Sequence, residues 1–313
     1  MSKTGGAVYR SGFIAIVGRP NMGKSTFLNQ VLGHMAAIVT PKAQTTRTRI
    51  LGVKHRPDGQ MIFLDTPGIH QDKSHVLNRV MVQTAFGACD DADLILYFVS
   101  ATKGPIEEDW ENLARLSGQG QPLFLVINKV DSRPRPLLLP LVAACEAKAA
   151  QLGIVINEFA MLSALTGENI DPLLAGVFSR LPEGPAYFPD DQWTDQPERF
   201  IAAEIVREKL FLHLQQELPY HTAVQVEDFQ ESDERVHVAA LIFVDRESQK
   251  GIVIGRGGGM LKKIGSAARH DLERFLACRV HLELQVVVRK GWRGDARLLH
   301  ALGYWEGSDS EIS

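Results

Sequence analysis

Between residues 12 and 181 the chain alternates short apolar runs with longer stretches of helical period. The runs are FIAIVG (13–18), RILGV (49–53), MIFLD (61–65), DLILYFV (93–99), PLFLVIN (122–128) and IVINEFA (154–160). Several are unbroken instead of alternating, the pattern of strands covered by helices on both faces. Helical spacing fills the intervals in KSTFLNQVLG, VLNRVMVQTAFGA, PIEEDWENLARLSG and LLLPLVAACEAKAAQLG. This order predicts an α/β domain with a mostly parallel sheet. The stretch LPEGPAYFPDDQWTDQP (181–197) breaks the rhythm with four prolines and reads as a linker.

After it come a helix (RFIAAEIVREKLFLHL), two strands (TAVQVEDFQ, RVHVAALIFVDR), a helix opening near Lys250, a Gly-rich turn, a second helix (MLKKIGSAARHDLERFLA) and a strand (RVHLELQVVV). That is a small α+β domain. The expected division is 1–181 and 199–304, joined by a linker at 182–198, with a polar tail at 305–313.

Composition agrees with two soluble domains, at 45% hydrophobic and 23% charged residues. No apolar run approaches the ~20 residues that span a bilayer, and the N-terminus MSKTGGAVYR lacks a signal-peptide core, so a cytoplasmic protein is expected. Cys89, Cys145 and Cys278 are far apart and without C-x-x-C pairing, which predicts reduced packing residues and no disulfide or zinc framework. The net charge of -3 conceals an asymmetry: Lys250–Arg297 holds 11 Lys and Arg against 4 Asp and Glu. Such a segment is either a solvated basic surface or a seat for an anion, above all a nucleic-acid backbone.

The candidate chemistry sits at strand ends. GRPNMGKST (18–26) fits G-x-x-x-x-G-K-[ST], with Gly18, Gly23, Lys24 and Ser25 in the required slots and Arg19, Pro20, Asn21, Met22 and Thr26 completing the loop. Its glycines let backbone N–H groups converge on a phosphate, and the following helix adds its N-terminal partial charge. Lys24 would reach the β and γ phosphates, and the Ser25 hydroxyl would hold magnesium. DTPG (Asp65, Thr66, Pro67, Gly68) closes the strand MIFLD, so Asp65 can hold a magnesium-bound water and the Gly68 N–H can meet the γ phosphate. In NKVD (Asn128, Lys129, Val130, Asp131) the Asp131 carboxylate can accept from guanine N1–H and N2–H₂, which adenine cannot offer. Asn128 would tie this loop to the phosphate loop. SAL (Ser163, Ala164, Leu165) can present the Ala164 N–H to guanine O6. In this order and on these strand ends, the four motifs describe a guanine-nucleotide site. A metabolic P-loop kinase would have no use for the NKVD and SAL pair.

GRPNMGKS, KAQTTR, DTPG, NKVD and SAL, with the linker phrase LPEGPAYFPDD and the stretch VIGRGGGMLKKIG, resemble the bacterial Era family from about Ser11 to about Tyr304. The resemblance implies a P-loop GTPase followed by a type II K-homology domain, hydrolysing GTP to GDP with magnesium. It also implies that the partners are the 3′ end of small-subunit ribosomal RNA and the assembling small subunit. KAQTTR then corresponds to the first switch, with Thr46 as the residue closing over magnesium and the γ phosphate and Thr45 as the alternative register. A polar loop with no such role is the plainer reading. A monomer is expected, and the family adds peripheral contact with the inner membrane face, for which no amphipathic anchor is visible here.

Where Ras-like switches place a water-orienting glutamine after D-x-x-G, this chain has Ile69. Slow unaided hydrolysis follows, or another way of stabilising the transferring phosphoryl. Related GTPases use an asparagine placed like Asn21 to help hold potassium, whose charge acts as an arginine finger would; a simple loop cap is the competing role. Lys24, Asn21 and Thr46 are thus the candidate catalytic residues, and Ser25, Thr46 and Asp65 the candidate metal ligands. An RNA-binding chaperone with a mainly structural nucleotide site is the alternative that Ile69 keeps open.

In the second domain Gly255, Arg256, Gly257 and Gly258 form a G-x-x-G loop between two helices, the device by which K-homology domains clamp a four-nucleotide backbone. Arg256, Lys262 and Lys263 supply charge for phosphates; a degenerate fold that binds protein is the other reading. Arg289, Lys290, Arg293 and Arg297 can extend the RNA surface, and Trp292 either stacks on a base or packs on its own domain.

Overall fold

A computed structural model describes residues 8–42, 44–69, 75–232 and 234–305; the N-terminal heptapeptide and the polar tail from residue 306 lie outside the described residues. The chain forms two compact units, one from Met1–Ala36, Arg49–His70 and Val82–Asp195, the other from Ala37–Thr48, Gln71–Met81 and Gln196–Ser313. The second unit thus takes two segments from the first third of the sequence.

The first unit is built on β1 (Arg10–Gly18), α1 (Lys24–Leu32), β2 (Ile50–Arg56), β3 (Gly59–Asp65), α2 (Val76–Asp90), β4 (Leu94–Ser100), α3 (Glu107–Ser117), β5 (Leu123–Asn128), α4 (Leu138–Leu152), β6 (Glu158–Met161) and α5 (Ile170–Arg180). The sheet order is β2-β3-β1-β4-β5-β6, parallel throughout except for β2 against β3. β3, β4 and β5 are buried along their whole length, which is why they read as unbroken apolar runs. Phe27 of α1 packs edge-on to Phe63 at 5.9 Å and tilted against Phe98 at 5.2 Å, fixing the phosphate-loop helix to β3 and β4.

Two expectations shift. The apolar run 154–160 yields strand only from Glu158, because Gly153 at φ 68° ends α4 and the Ile154 N–H turns back to Ala149 O. The proline-rich stretch is a strap docked along the first unit, not a free tether. Ser11 Oγ donates to Pro185 O (2.6 Å), Gln60 Nε2 donates to Phe188 O (2.5 Å), and Thr194 Oγ1 donates to Leu51 O (2.7 Å).

Cys89 and Cys145 are buried and Cys278 is half-buried, all three as free thiols. Burial pushes the Cys89 thiol up to about 12 and the Cys145 thiol up to about 11. Because the thiolate is the nucleophile, we expect a thiol-reactive chromophore at pH 8 to label Cys278 alone in the folded protein and all three cysteines after denaturation.

The second unit contains α6 (Glu198–His213), β7 (Ala223–Glu231), β8 (Arg235–Val244), α7 (Glu247–Ile254), α8 (Gly259–Leu276), β9 (Arg279–Val288) and α9 (Ala296–Ala301). β8 is antiparallel to β7 and parallel to β9. Trp292 is fully buried beside Phe243, Leu298, Leu299 and Tyr304, together with Leu77, Val80 and Met81 from the start of α2. Its indole N–H donates to His221 O at 3.1 Å, so Trp292 is a core residue and not a base-stacking one.

Candidate functional site

The carboxyl ends of β1, β3 and β5 carry the phosphate loop, Asp65 and Asn128, at the strand edge where open α/β sheets place ligands. Three glycines keep the backbone surface close. Gly23 has φ 90°, and a Cβ there would lie 2.3 Å from Asn128 Nδ2; a Cβ on Gly68 would lie 2.6 Å from the Pro20 backbone nitrogen. Gly18, at φ 136°, would collide with Phe98 O at 2.4 Å. Any larger residue at these points would push the loop apart.

Lys24 is buried, and its Nζ donates to Gly18 O (2.9 Å) and Arg19 O (3.0 Å). Desolvation pushes its ammonium down to about 8, against the opposing pull of Asp65. Asp65 is fully buried, and burial pushes its carboxyl up to about 6 while Lys24, Ser25 and the Thr66 N–H act in the other direction. Ser25 Oγ donates to Asp65 Oδ2 at 2.6 Å, and Asp65 Oδ1 is buried with no hydrogen-bond partner. Two hard oxygen ligands side by side, one with an unsatisfied atom, fit a hydrated magnesium ion.

Other expected residues divide by role. The Ile69 N–H donates to Gly18 O at 3.1 Å, and its side chain is buried in the core with Ala15, Val17, Tyr97 and Val99. It therefore braces the loop and offers nothing polar to a water. Thr66 Oγ1 donates to Ile16 O (2.8 Å), and Val130 is buried in the same core as Ile69, so both act through their backbone placement. Asn21, at φ 63°, is exposed, and its carbonyl accepts from Lys129 Nζ at 2.6 Å.

Asn128 performs the expected tie: its Nδ2 donates to Met22 O at 2.8 Å. Its Oδ1 accepts from the Lys129 N–H (2.7 Å) and from the Ala164 N–H (2.9 Å). The Ala164 N–H, expected to face guanine O6, is thus engaged by Asn128 in this structure. Asp131 Oδ1 accepts from Ser163 Oγ (2.5 Å) and Oδ2 from Ser132 Oγ (3.0 Å), and these bonds, Ser163 first, hold its carboxyl below the ordinary range. Leu165 is 74% exposed next to them.

Sequence reasoning missed Asp109. It is fully buried, accepts Arg19 Nε on both oxygens (2.9 and 3.0 Å) and Tyr97 Oη (3.0 Å), and accepts the Ile106 N–H at the start of α3 (2.9 Å). It anchors the second residue of the phosphate loop to β4 and α3. Its only sequence signal was an acidic residue in the first turn of a helix.

Thr46 is buried in the segment Ala37–Thr48 of the second unit. There Arg207 donates to Thr45 O, Lys42 Nζ donates to Phe211 O and Leu214 O, and the buried Arg47 donates to Thr222 O at 2.7 Å. The Arg47 guanidinium also faces the rings of Phe211, Trp292 and Tyr304 at 5.5 to 5.8 Å. In the same unit Gly255 (φ 74°), Gly257 (φ 57°) and Gly258 (φ 76°) make the turn between α7 and α8. A Cβ on Gly257 or Gly258 would meet nothing within 4 Å, so the loop is open to an approaching chain. Beside it lies a groove of about 580 Å³ lined by Gly258, Leu261, Lys262, Gly265, Ser266, Arg269, Leu282 and Leu284. Arg256 of the Gly-rich loop and Lys263 of α8 are exposed, and Arg269, two turns after Lys262, extends the basic row along the groove. In the C-terminal cluster, Arg289 faces Asp295 (3.4 Å) and Arg293 faces Asp245 (3.6 Å).

Residues 13–129 match the 50S ribosome-binding GTPase family and residues 217–293 the KH domain family. GTPase Era of Geobacter metallireducens is 49% identical over 298 residues, covering 95% of this chain and 98% of the relative. The chain belongs to the Era family of GTPases. GTPase Era of Syntrophus aciditrophicus is 48% identical, with 96% of each chain covered. Among solved structures, an Aquifex aeolicus Era variant bound to GDP and aluminium fluoride superposes with a TM-score of 0.89 at 40% identity, covering 94% of this chain and 99% of its own. Era in complex with MgGDPNP and nucleotides 1506–1542 of 16S ribosomal RNA gives 0.90 at 41% identity, covering 95% and 99%. The fold of this Era-family chain is therefore a P-loop GTPase unit joined to a K-homology unit.

Proposed function

We propose that this Era-family GTPase holds single-stranded RNA near the 3′ end of small-subunit ribosomal RNA while that subunit assembles in the cytoplasm, and that it works as a monomer whose GTP hydrolysis times release. The observation that carries this reading is the pairing, in one chain, of a phosphate loop with the Ser25–Asp65 pair and a serine-braced Asp131 carboxylate on one unit, and an open Gly-rich loop beside a basic groove on the other. The Era structure with MgGDPNP and 16S ribosomal RNA nucleotides supports the choice of RNA.

In this reading the loop N–H groups from Gly18 to Thr26 receive the phosphates. Lys24 exchanges two neutral carbonyls for charged phosphate oxygens, a stronger hydrogen bond than either it now makes. Magnesium, held by Ser25 and Asp65, would supply positive charge at the β and γ phosphates. Asp131 accepts from the guanine edge while Ser163 and Ser132 fix its carboxylate in place. The Ala164 N–H is shared between Asn128 and guanine O6, and Asn128 keeps the base loop and the phosphate loop at a fixed spacing. Arg256, Lys262 and Lys263 meet RNA phosphates, and Leu261, Leu282 and Leu284 receive the bases.

Because Ile69 is turned into the core, water orientation and charge neutralisation need another source, and we assign the charge to potassium held beside Asn21. Multiple-turnover phosphate release should run several-fold faster in potassium than in sodium at equal ionic strength, and Asn21→Ala should remove the difference. Equal rates in the two salts would sink the potassium assignment. Phosphate release that does not exceed one turnover with or without a 3′-end RNA oligonucleotide would sink the timer itself.

A further inference from the structure

The K-homology sheet has two faces. Gly265 of α8 lies over Leu284, a Cβ there meeting Leu284 Cδ1 at 3.4 Å, and Leu282 and Leu284 line the RNA groove. Even-numbered positions of β9 therefore face α8. The parallel register pairs His237 of β8 directly with His281 of β9 and places Glu283 two residues further along the same face. These odd-numbered residues look away from the groove, alternating with the buried Val236, Val238 and Val280.

On this outer face the two imidazoles stack at 5.2 Å with an interplanar angle of 22°. Glu283 Oε1 lies 3.4 Å from His237 Nε2 and 3.1 Å from His281 Nε2, and one ligand atom from each of the three residues lies within 4.8 Å of the others. A tetrahedral zinc ion with ligand bonds near 2.0–2.1 Å has ligand–ligand edges of about 3.4 Å, so the two separations to Glu283 already match. The other ring nitrogen of His237, Nδ1, faces Asp228 Oδ2 of β7 at 3.5 Å. That is the carboxylate–histidine arrangement that fixes tautomer and ring orientation around a metal.

We propose that His237, His281 and Glu283 form a binding site for a divalent transition-metal ion of the zinc class, with Asp228 orienting His237 from behind. The two imidazole ligands select zinc-like ions over magnesium, so this site and the oxygen-lined nucleotide site take different metals. Three protein ligands leave a fourth position for water. The ion ties β8 to β9 across their parallel pairing, on the face opposite the RNA groove.

The test uses the full chain loaded with MgGDP, in a Cys278→Ser background so that no accessible thiol contributes. Equilibrium dialysis against micromolar Zn²⁺ should give about one zinc per chain, and zinc should raise the Tm of that protein, as any ligand of the folded state does. His281→Ala and Glu283→Gln, both at exposed positions, should each weaken zinc binding at least about 10-fold, a loss typical even of outer-shell changes. Both variants should keep the parent's RNA affinity and its Tm in the presence of a chelator. Absence of zinc uptake by the parent, or undiminished uptake by either variant, would overturn the site and show that the three side chains only bond one another.

Discussion

Asp131→Asn is expected to weaken GTP binding by roughly 100-fold, about 3 kcal/mol, because two charge-assisted hydrogen bonds to the guanine edge become one neutral contact and one donor-to-donor clash. The substitution is nearly isosteric. Its Oδ1 can still accept the Ser163 hydroxyl that now reaches Asp131 at 2.5 Å, so the loop should keep its shape. Xanthine carries a carbonyl at C2 where guanine carries an amino group, and the new amide can donate to it. The variant should therefore bind xanthosine triphosphate better than the parent does. Competition titrations of a fluorescent nucleotide with GTP, XTP and ATP measure all three at once. GTP affinity within threefold of the parent would place guanine selection elsewhere, with the Ala164 N–H as the next candidate.

Arg256→Asp combined with Gly257→Asp should reduce affinity for a 3′-end RNA oligonucleotide by at least about 100-fold, while GTP affinity stays within about threefold. Both positions are exposed, and a side chain on Gly257 meets no protein atom within 4 Å. Aspartate also tolerates the left-handed backbone that Gly257 adopts better than most residues do. The damage should fall on the ligand and not on the fold: two carboxylates would stand where phosphates approach. For the parent, log affinity should fall against log salt with a slope of roughly -0.7 per phosphate neutralised, and the double variant should show a shallower slope. Fluorescence anisotropy with labelled RNA reads both quantities. If RNA binding survives the two aspartates, the groove formed by Lys262, Arg269, Leu282 and Leu284 is not where the strand lies.

What could be seen in the sequence was whatever depends on local pattern. The phosphate loop, DTPG and NKVD each close a largely buried strand, and SAL follows the half-buried β6, so an apolar run with a motif at its end pointed to the candidate site. The helix-strand-strand-helix-helix-strand order of the second unit was equally readable, because most of β8 alternates buried positions with more accessible ones. Contacts made across long separations were not readable. Asp109 reaches Arg19 across 90 positions, and nothing in EEDWENLARL distinguishes it from the neighbouring Glu107 and Glu108. The four prolines suggested a tether because proline excludes regular structure. The strap's attachment rests on side chains of the sheet, Ser11 and Gln60, which look like ordinary strand polars in sequence. The Trp292 indole finds its acceptor on His221, 71 residues earlier, which no local reading could supply.

The second unit borrows Ala37–Thr48 and Gln71–Met81 from far upstream, and this orders events in time. About 150 residues separate Thr48 from Glu198, where α6 begins. At ~5–20 residues per second of synthesis, the upstream segment waits on the order of 10 s for its partners. During that wait the sheet of the first unit can form from residues already made. Ile38, Leu77, Val80 and Met81, all buried in the finished fold, have no core of their own to enter. The newborn chain thus holds a nearly finished nucleotide-binding sheet with Thr46 and the start of α2 unclaimed until its last strand and its last tryptophans emerge. Arg47 then settles among Phe211, Trp292 and Tyr304, so the segment Ala37–Thr48 is locked into its unit only once translation of the chain is essentially complete.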